Sequence, residues 1–427
     1  MFVGITNTPR DYAWGSHLAI ASLLGTPPSG KPEAELWLGA HPGSPAVITD
    51  PSAVGGARHL AEWIAAEPER ALGEARAAEG RLPFLLKLLA AAGPLSLQAH
   101  PSTDRARAGF DLENEAGLAL DAPDRNYKDP FHKPELILAL SDRFEALCGF
   151  RPADSVQRIV DELRALDATM DEPEPEPLDD LERHLAGTDG LRDTVDWLLR
   201  DGRGEDTGEV AWLVERVVAL AGQAAFLAGG SAEIEFPAEL ATVESLAAAY
   251  PGDPGIVISL LLNRVSLRRG EVLYLPAGNI HAYLSGLGVE LMAASDNVLR
   301  GGLTPKHIDV DELLEVLDFT PTPVPYLSPA SSSTPGVTVY QPDVPDFRLV
   351  HIEADAAADG SAGSGVPMRQ VALAGPAIAI CTAGGFLVAG ATSSVALKRG
   401  GAVYITPDEG TVTFAGAGEV FLATTPA

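Results

Sequence analysis

Cysteine is almost missing from this chain: its 427 residues include only Cys148 and Cys381. Two cysteines so far apart exclude a disulfide scaffold and any cysteine-rich zinc module, and they suit a reducing compartment. Lysine is scarce too. Only six of the 30 basic residues are lysine: Lys31, Lys87, Lys128, Lys133, Lys306 and Lys398. Positive charge as a whole is outweighed by 59 acidic residues, which leaves a net charge of −29 and a pI near 4.6. Such a chain is a poor partner for nucleic acid or an anionic membrane. Its most apolar run, Leu82 to Leu97, is broken by Lys87 and Pro94 and is too short to span a bilayer. The opening segment MFVGITNTPRDYAWGS lacks the basic-then-apolar pattern of a secretory signal. A cytoplasmic protein without nucleic-acid or membrane partners is expected.

Against these absences stand 46% hydrophobic and 21% charged residues, a composition that excludes disorder and predicts a sizeable core. At about 150 residues per domain, the length suggests two to three domains. Residues 1–50 carry short strand-like runs, 57–78 read as helix, and 82 onward reads as a helix followed by a strand near Leu95 to His100. Residues 131–140 read as a strand. From 154 to 228 the pattern becomes helical, with stretches at 155–169, 190–200 and 208–226, and an acidic, proline-rich loop at 171–182. Strand signals return at 255–262 and 271–275. Beyond two turn-rich breaks, 328–336 and 355–366, short β runs cover 346–353, 377–381, 385–388, 402–406, 411–414 and 418–423. LRRGEVLYLP (267–276) and LKRGGAVYITP (397–407) share a basic, glycine, strand, proline pattern, which points to two copies of one β unit.

Gly270, Pro276, Gly278 and His281 form G-x5-P-x-G-x2-H, which resembles the second sequence motif of cupins. In it, glycine and proline set a turn that presents an imidazole from a barrel wall. The C-terminal copy has Gly401 and Pro407 but Glu409 and Val412 where the second glycine and the histidine would stand, so a structural role is expected there. The expected fold is mainly β with an α insertion: two cupin-like jelly-roll β-barrels plus a helical domain. The catalytic barrel would combine 1–153 and 229–320, the insertion 154–228, and the degenerate barrel 321–427. Gln98 and His100, two apart on a strand, share one face, as do Lys133 and Glu135. With His281 they offer two imidazoles, a carboxylate and an amide oxygen, a donor set for Zn²⁺ or another divalent ion with positions left open.

Six segments in order carry a more specific likeness: YAWGS (12–16), AELWLGAHPGSP (34–45), LPFLLKLLAAAGPLSLQAHPS (82–102), NYKDPFHKPELILAL (126–140), FEALCGFR (144–151) and LPAGNIHAYLSGLGVELMAASDNVLRGGLTPKH (275–307). Together they resemble type I phosphomannose isomerases. The resemblance implies one zinc ion per chain, held by Gln98, His100, Glu135 and His281. It implies interconversion of mannose 6-phosphate and fructose 6-phosphate by proton transfer between C2 and C1 through an enediol. It implies an active-site arginine at Arg300, to which electrostatic stabilisation and substrate positioning are assigned, and Asp296 is a candidate to orient that arginine.

The base remains open between Glu290, Lys87 and Lys133, while strand alternation turns His132 away. No glycine-rich phosphate loop is visible, so Ser96 and Lys306 are the phosphate candidates, with Lys87 as a further cation. Trp14 is expected to line the pocket, and Cys148 to be a buried small residue. The partner expected is a small sugar phosphate, and the chain is expected to be a monomer or weak homo-oligomer. Two other readings stand beside this one: another metal-dependent cupin enzyme, and a non-catalytic sugar-phosphate sensor.

Overall fold

The apolar run after Leu82 is a strand, Phe84–Ala91, and not a helix. All eight of its residues are buried. A strand covered on both faces loses the alternation that marks strands, so composition alone does not separate it from a core helix. In the computed structural model, which describes residues 1–203, 208–229, 233–330, 334–354 and 368–426, this strand lies between two β systems. Phe84, Leu86, Leu88 and Ala90 pack with Ile378, Ile380, Tyr404 and Phe421 of the C-terminal sheet. Leu85, Lys87 and Leu89 point the other way, into a cavity.

The described residues form two nine-stranded sheets, antiparallel in every pairing given below. The first is organised by the long strand His281–Ala293. A register shift between Tyr283 and Ser285 divides it. Its first part pairs with Gln98–Ala99 and Phe144–Phe150, and its second with Phe84–Ala91 and Glu135–Ala139. At the division Gly286 has φ 128°, and a Cβ there would fall 2.7 Å from the Phe144 ring, so glycine is required. One strand thereby joins two walls and carries functional side chains on both. Glu35–Leu38, Leu262–Leu267, Val272–Leu275 and Leu299–Arg300 complete the sheet.

The second sheet contains the C-terminal strands Val337–Tyr340, Arg348–Ala354, Met368–Ala372, Ala377–Ala389, Ser394–Lys398, Ala402–Ile405 and Thr411–Thr424. The paired short runs predicted at 377–388 and 411–423 are each one long strand. The N-terminal strand Phe2–Thr6, grouped by sequence with the catalytic unit, pairs with Ala402–Ile405 in this second sheet. The repeated segments do make matching turns. The glycine in the left-handed region is Gly270 (φ 87°) in one and Gly400 (φ 82°) in the other, one position before the expected Gly401.

Helices lie at Ala153–Asp167, Glu176–Leu185, Gly190–Asp201, Gly208–Ala228, Pro237–Ala249 and Gly255–Leu261. The loop expected at 171–182 contains the helix Glu176–Leu185, whose proline occupies the first turn, where it costs no hydrogen bond. The strand expected at 255–262 is the helix Gly255–Leu261 followed by the strand Leu262–Leu267. Every residue of that helix is buried, so its apolar run, like 84–91, carries no period. The helix expected over 57–78 is three short ones, Leu60–Ala66, Pro68–Leu72 and Glu74–Ala77, broken at Pro68 and at Gly73. The break expected at 355–366 and residues 331–333 of the other break lie outside the described residues. Leu163, Leu198 and Leu213 of the helices pack in one core with Leu97, Ala99, Ile280 and Leu299, the segments that carry the candidate ligands.

Candidate active site

Pairing register assembles the site. Trp37 lies opposite Lys87, Lys87 opposite Glu290, and Glu290 opposite Ile137, a row across four strands. One row along, Leu85, Met292, Glu135 and Leu275 follow one another. At the other end of the long strand, His281 lies opposite Gln98, and Gln98 opposite Arg300. Of these, Trp37, Leu85, Lys87, Gln98, Glu135, Glu290, Met292 and Arg300 line a cavity of about 240 Å³ together with Trp14, Lys133, Asp296 and Lys306, while His281 sits behind Glu135 in its wall. Ser96 is half-buried and is not among the lining residues, although its neighbours Leu95 and Gln98 are.

Three predicted ligands converge in the buried wall. His100 Nε2 lies 3.4 Å from Glu135 Oε1, and His281 Nε2 lies 3.3 Å from Glu135 Oε2. Each imidazole uses Nδ1 on a backbone carbonyl, His100 on Asn297 O at 2.8 Å and His281 on Asn279 O at 3.0 Å. A carbonyl only accepts, so Nδ1 carries the proton and Nε2 presents a lone pair. Both Nε2 atoms and Glu135 Oε2 are buried with no hydrogen-bond partner among the described residues. Burial pushes the His100 imidazole down to about 4, helped by the Lys133 ammonium, so it stays neutral. Burial works against ionisation of Glu135, but the charge of Lys133 holds it well below the usual carboxylate range. Three unsatisfied lone-pair donors inside a core are costly unless a cation joins them. Tetrahedral donors at about 2.1 Å from zinc lie about 3.4 Å apart, which matches the spacings found here. The three residues therefore fit a divalent metal, and half-buried Gln98 stands opposite His281 in register.

The surroundings hold this geometry. Gly278, in the left-handed region, donates its N–H to His100 O at 2.9 Å, tying the two histidine-bearing turns together. Asn297 is fully buried, and its amide nitrogen bonds Asp129 O at 2.7 Å and Phe131 O at 2.8 Å. Its backbone carbonyl is then fixed for His100, an outer-layer support of the kind metal ligands require.

Across the cavity, Lys87 Nζ lies 2.8 Å from Glu290 Oε2 and 3.9 Å from Glu35 Oε1. Glu35 also accepts from Trp37 Nε1 at 2.6 Å. Burial alone would lower the Lys87 pKa, but the charges of Glu290, Glu35 and Glu135 outweigh it, so the ammonium is kept. Burial raises the Glu290 carboxyl, and the like charges of Glu135 and Glu35 add to that against Lys87. Lys133 Nζ sits 3.2 Å from Glu135 Oε1.

Arg300 and Lys306 have no ion pair or side-chain hydrogen bond among the described residues. Burial lowers both pKa values, and for Lys306 the Arg300 charge adds to the effect. Two unpaired cations at one cavity are conspicuous in a chain of net charge −29. Asp296 does not meet Arg300: its Oδ1 lies 3.1 Å from His41 Nε2. The Gly43 N–H donates to His41 Nδ1 at 3.1 Å, so Nε2 carries the proton toward Asp296. His132 turns away to Asp346 at 2.7 Å, and Lys128 bonds Ala122 O, outside the cavity. Cys148 is buried, its thiol pushed up to about 12 by desolvation, which fits a packing role.

Sequence reasoning passed over Glu35, Trp37, His41 and Tyr283. Glu35 and Trp37 alternate within AELWL, a strand signal that was available. The buried Tyr283 hydroxyl has no hydrogen-bond partner among the described residues, and burial, then the charge of Glu290, raises its pKa well above the usual phenol value.

Residues 2–153 match the family described as phosphomannose isomerase type I, catalytic domain. The chain is 34% identical over 424 residues to mannose-6-phosphate isomerase of Escherichia coli, covering 97% of each chain. It is 33% identical over 418 residues to the Homo sapiens protein of that name, covering 94% of this chain and 92% of that one. A zinc-bound crystal structure of mannose 6-phosphate isomerase superposes with a TM-score of 0.82 at 32% identity over the whole of both chains. Phosphomannose isomerase from Salmonella typhimurium, solved as a variant with one lysine replaced by alanine, superposes equally well, with a TM-score of 0.82 at 32% identity.

Proposed function

This chain belongs to the type I phosphomannose isomerase family, and we propose that it interconverts mannose 6-phosphate and fructose 6-phosphate as a zinc-dependent aldose–ketose isomerase. The observation that carries this reading is the composition of one cavity. Its lining brings a buried lysine–carboxylate pair and two cations without ion-pair partners among the described residues together with Glu135, whose carboxylate meets His100 and His281 in a buried three-residue metal-ligating cluster.

Gln98, His100, Glu135 and His281 would hold the zinc. Bound there, the ion supplies positive charge that polarises the oxygens on C1 and C2 of the sugar. Glu290 is the base we assign. Burial raises its pKa toward the working range of a general base, and Lys87 fixes its carboxylate. It takes the C2 proton of mannose 6-phosphate and returns it to C1, through an enediol. Lys87, kept protonated by three carboxylates, orients the base and offsets charge developing on the substrate. Lys133 and Asp296 are assigned to the hydroxyl protons, Asp296 being held by His41. Arg300 stabilises negative charge and positions substrate, and Lys306 with Arg300 receives the phosphate. Ser96 is assigned to the phosphate end and Trp14 to the sugar-facing wall. The same reading has the enzyme working in the cytoplasm on a small molecule alone, as a monomer or weak homo-oligomer, and the net charge of −29 supports it against polyanionic partners.

A coupled assay of mannose 6-phosphate conversion tests the function. It is run on native protein, on chelator-treated protein with and without restored zinc, and on Arg300→Ala. Activity is expected to vanish with the chelator and return with zinc. Folded, zinc-loaded protein without turnover would sink the reading.

A further inference from the structure

Leu303 is the one non-glycine residue among those described with a left-handed backbone, at φ 54°. A branched side chain is strained there, and such strain persists only where the surroundings over-determine it. Leu303 is fully buried and stands midway between Arg300 and Lys306. Its conformation therefore sets how those two cations are placed relative to one another.

Asp253 grips this turn. Its Oδ1 accepts the N–H of Leu303 at 2.8 Å and of Gly255 at 2.8 Å, and its Oδ2 accepts the Thr304 N–H at 3.3 Å. Arg203 donates to the same Oδ2 at 3.0 Å, to Thr304 O at 3.0 Å and to Lys306 O at 3.4 Å. The chains touch closely: a Cβ on Gly302 would lie 2.9 Å from Gly255 Cα, and one on Gly255 would lie 2.9 Å from Leu303 N. On the opposite side, Gly301 donates to Leu97 O at 2.9 Å and Leu97 donates to Gly302 O at 3.1 Å. The turn is thus held between the segment that carries Gln98 and the helical region. Asp253 lies between the helices Pro237–Ala249 and Gly255–Leu261, Arg203 lies just past Gly190–Asp201, and neither lines the cavity.

We propose that Asp253, braced by Arg203, is a positioning residue through which the helical region sets Arg300 and Lys306 for a phosphate monoester dianion. The inference rests on the function proposed above. A purely Coulombic role has the opposite sign. Removing a carboxylate near two cations strengthens anion binding, whereas loosening the turn weakens it.

Zinc-loaded wild type, Asp253→Ala, Asp253→Asn and Arg203→Met are compared by steady-state kinetics, inhibition by inorganic phosphate, and thermal unfolding. In Asp253→Ala the KM for mannose 6-phosphate and the phosphate inhibition constant are each expected to rise about tenfold, with kcat changed less than about twofold. Asp253→Asn keeps Oδ1 on Leu303 and falls between wild type and Asp253→Ala. Arg203→Met shifts both constants in the same direction by less. Folded Asp253→Ala with unchanged KM and phosphate inhibition, or with tighter phosphate inhibition, overturns the proposal. If Asp253→Ala fails to fold, Asp253→Asn and Arg203→Met decide it on the same criteria. Wild-type protein without turnover would instead overturn the underlying function, and phosphate calorimetry across the same variants would then judge the turn on its own.

Discussion

Lys87 and Glu290 face each other across neighbouring strands, with Nζ 2.8 Å from Oε2 and both side chains almost completely buried. Glu290→Gln keeps the shape and removes the base. Its kcat is expected to fall by about 10² to 10⁴ with little change in KM. Because burial raises the Glu290 carboxyl, wild-type activity should be lost on acidification above the ordinary carboxylate range. The base is active when deprotonated, so the acid limb of the kcat profile reports it. A wild-type acid limb retained unchanged in Glu290→Gln would move the assignment to Lys133.

Lys87→Met leaves Glu290 buried without its cation. Removing one partner of such a pair costs about 3–5 kcal/mol, more than the pair contributes when intact. The double variant Lys87→Met/Glu290→Gln should therefore be more stable than Lys87→Met alone. Urea unfolding midpoints of the three proteins check this.

The orphaned donors of His100, Glu135 and His281 predict that metal and stability are linked. Chelation should lower the thermal midpoint and added zinc should restore it, since an ion that binds only the folded state stabilises it by mass action. His281→Ala should retain no zinc by elemental analysis, and its midpoint should not respond to chelator or zinc. A wild-type midpoint indifferent to both would remove the metal assignment.

Arg300 has no ion pair to release among the described residues, so its replacement probes the substrate directly. Arg300→Ala should lower kcat/KM at least about 100-fold, and Arg300→Lys should recover little, because a point charge lacks the planar fork. Lys306→Ala should raise KM with a smaller effect on kcat.

Glu419 provides a pH test far from the cavity. Burial opposes its ionisation, but hydrogen bonds from His351 and Thr382 and the charge of Arg269 hold it at about 2. A depressed carboxylate contributes stability above its unfolded value, about 4.3, and loses it as pH falls toward 2. Allowing for partial exposure, Glu419→Gln should cost roughly 1–2 kcal/mol at pH 7, and the difference from wild type should vanish near pH 2. Because Arg269 adjoins the first sheet at Leu140 O, the loss would also loosen the contact between sheets.

Much of the site was legible because its donors stand in short local patterns. Gln98 and His100 stand two apart, and His281 follows a Gly-Pro-Gly turn whose Gly278 has the backbone that turn requires. Segment order carried the rest of the ligand set and singled out Arg300. Secondary structure was least legible where burial is complete. The strand Phe84–Ala91 and the helix Gly255–Leu261 are buried throughout, and neither shows a period.

By itself, then, the sequence determined the chemistry on offer: which residues can donate to a metal, that only two thiols are present, and that few lysines are available for a charged pocket. These follow from residue identity and from spacings of a few positions. Only the tertiary structure decided the partners. It put Glu290 opposite Lys87 through register between strands some 200 residues apart (|i−j| = 203), gave Asp296 to His41, and hung the Arg300 turn on Asp253. Those pairings depend on long-range strand register and on a strained backbone held by its neighbours, and no local spacing encodes either.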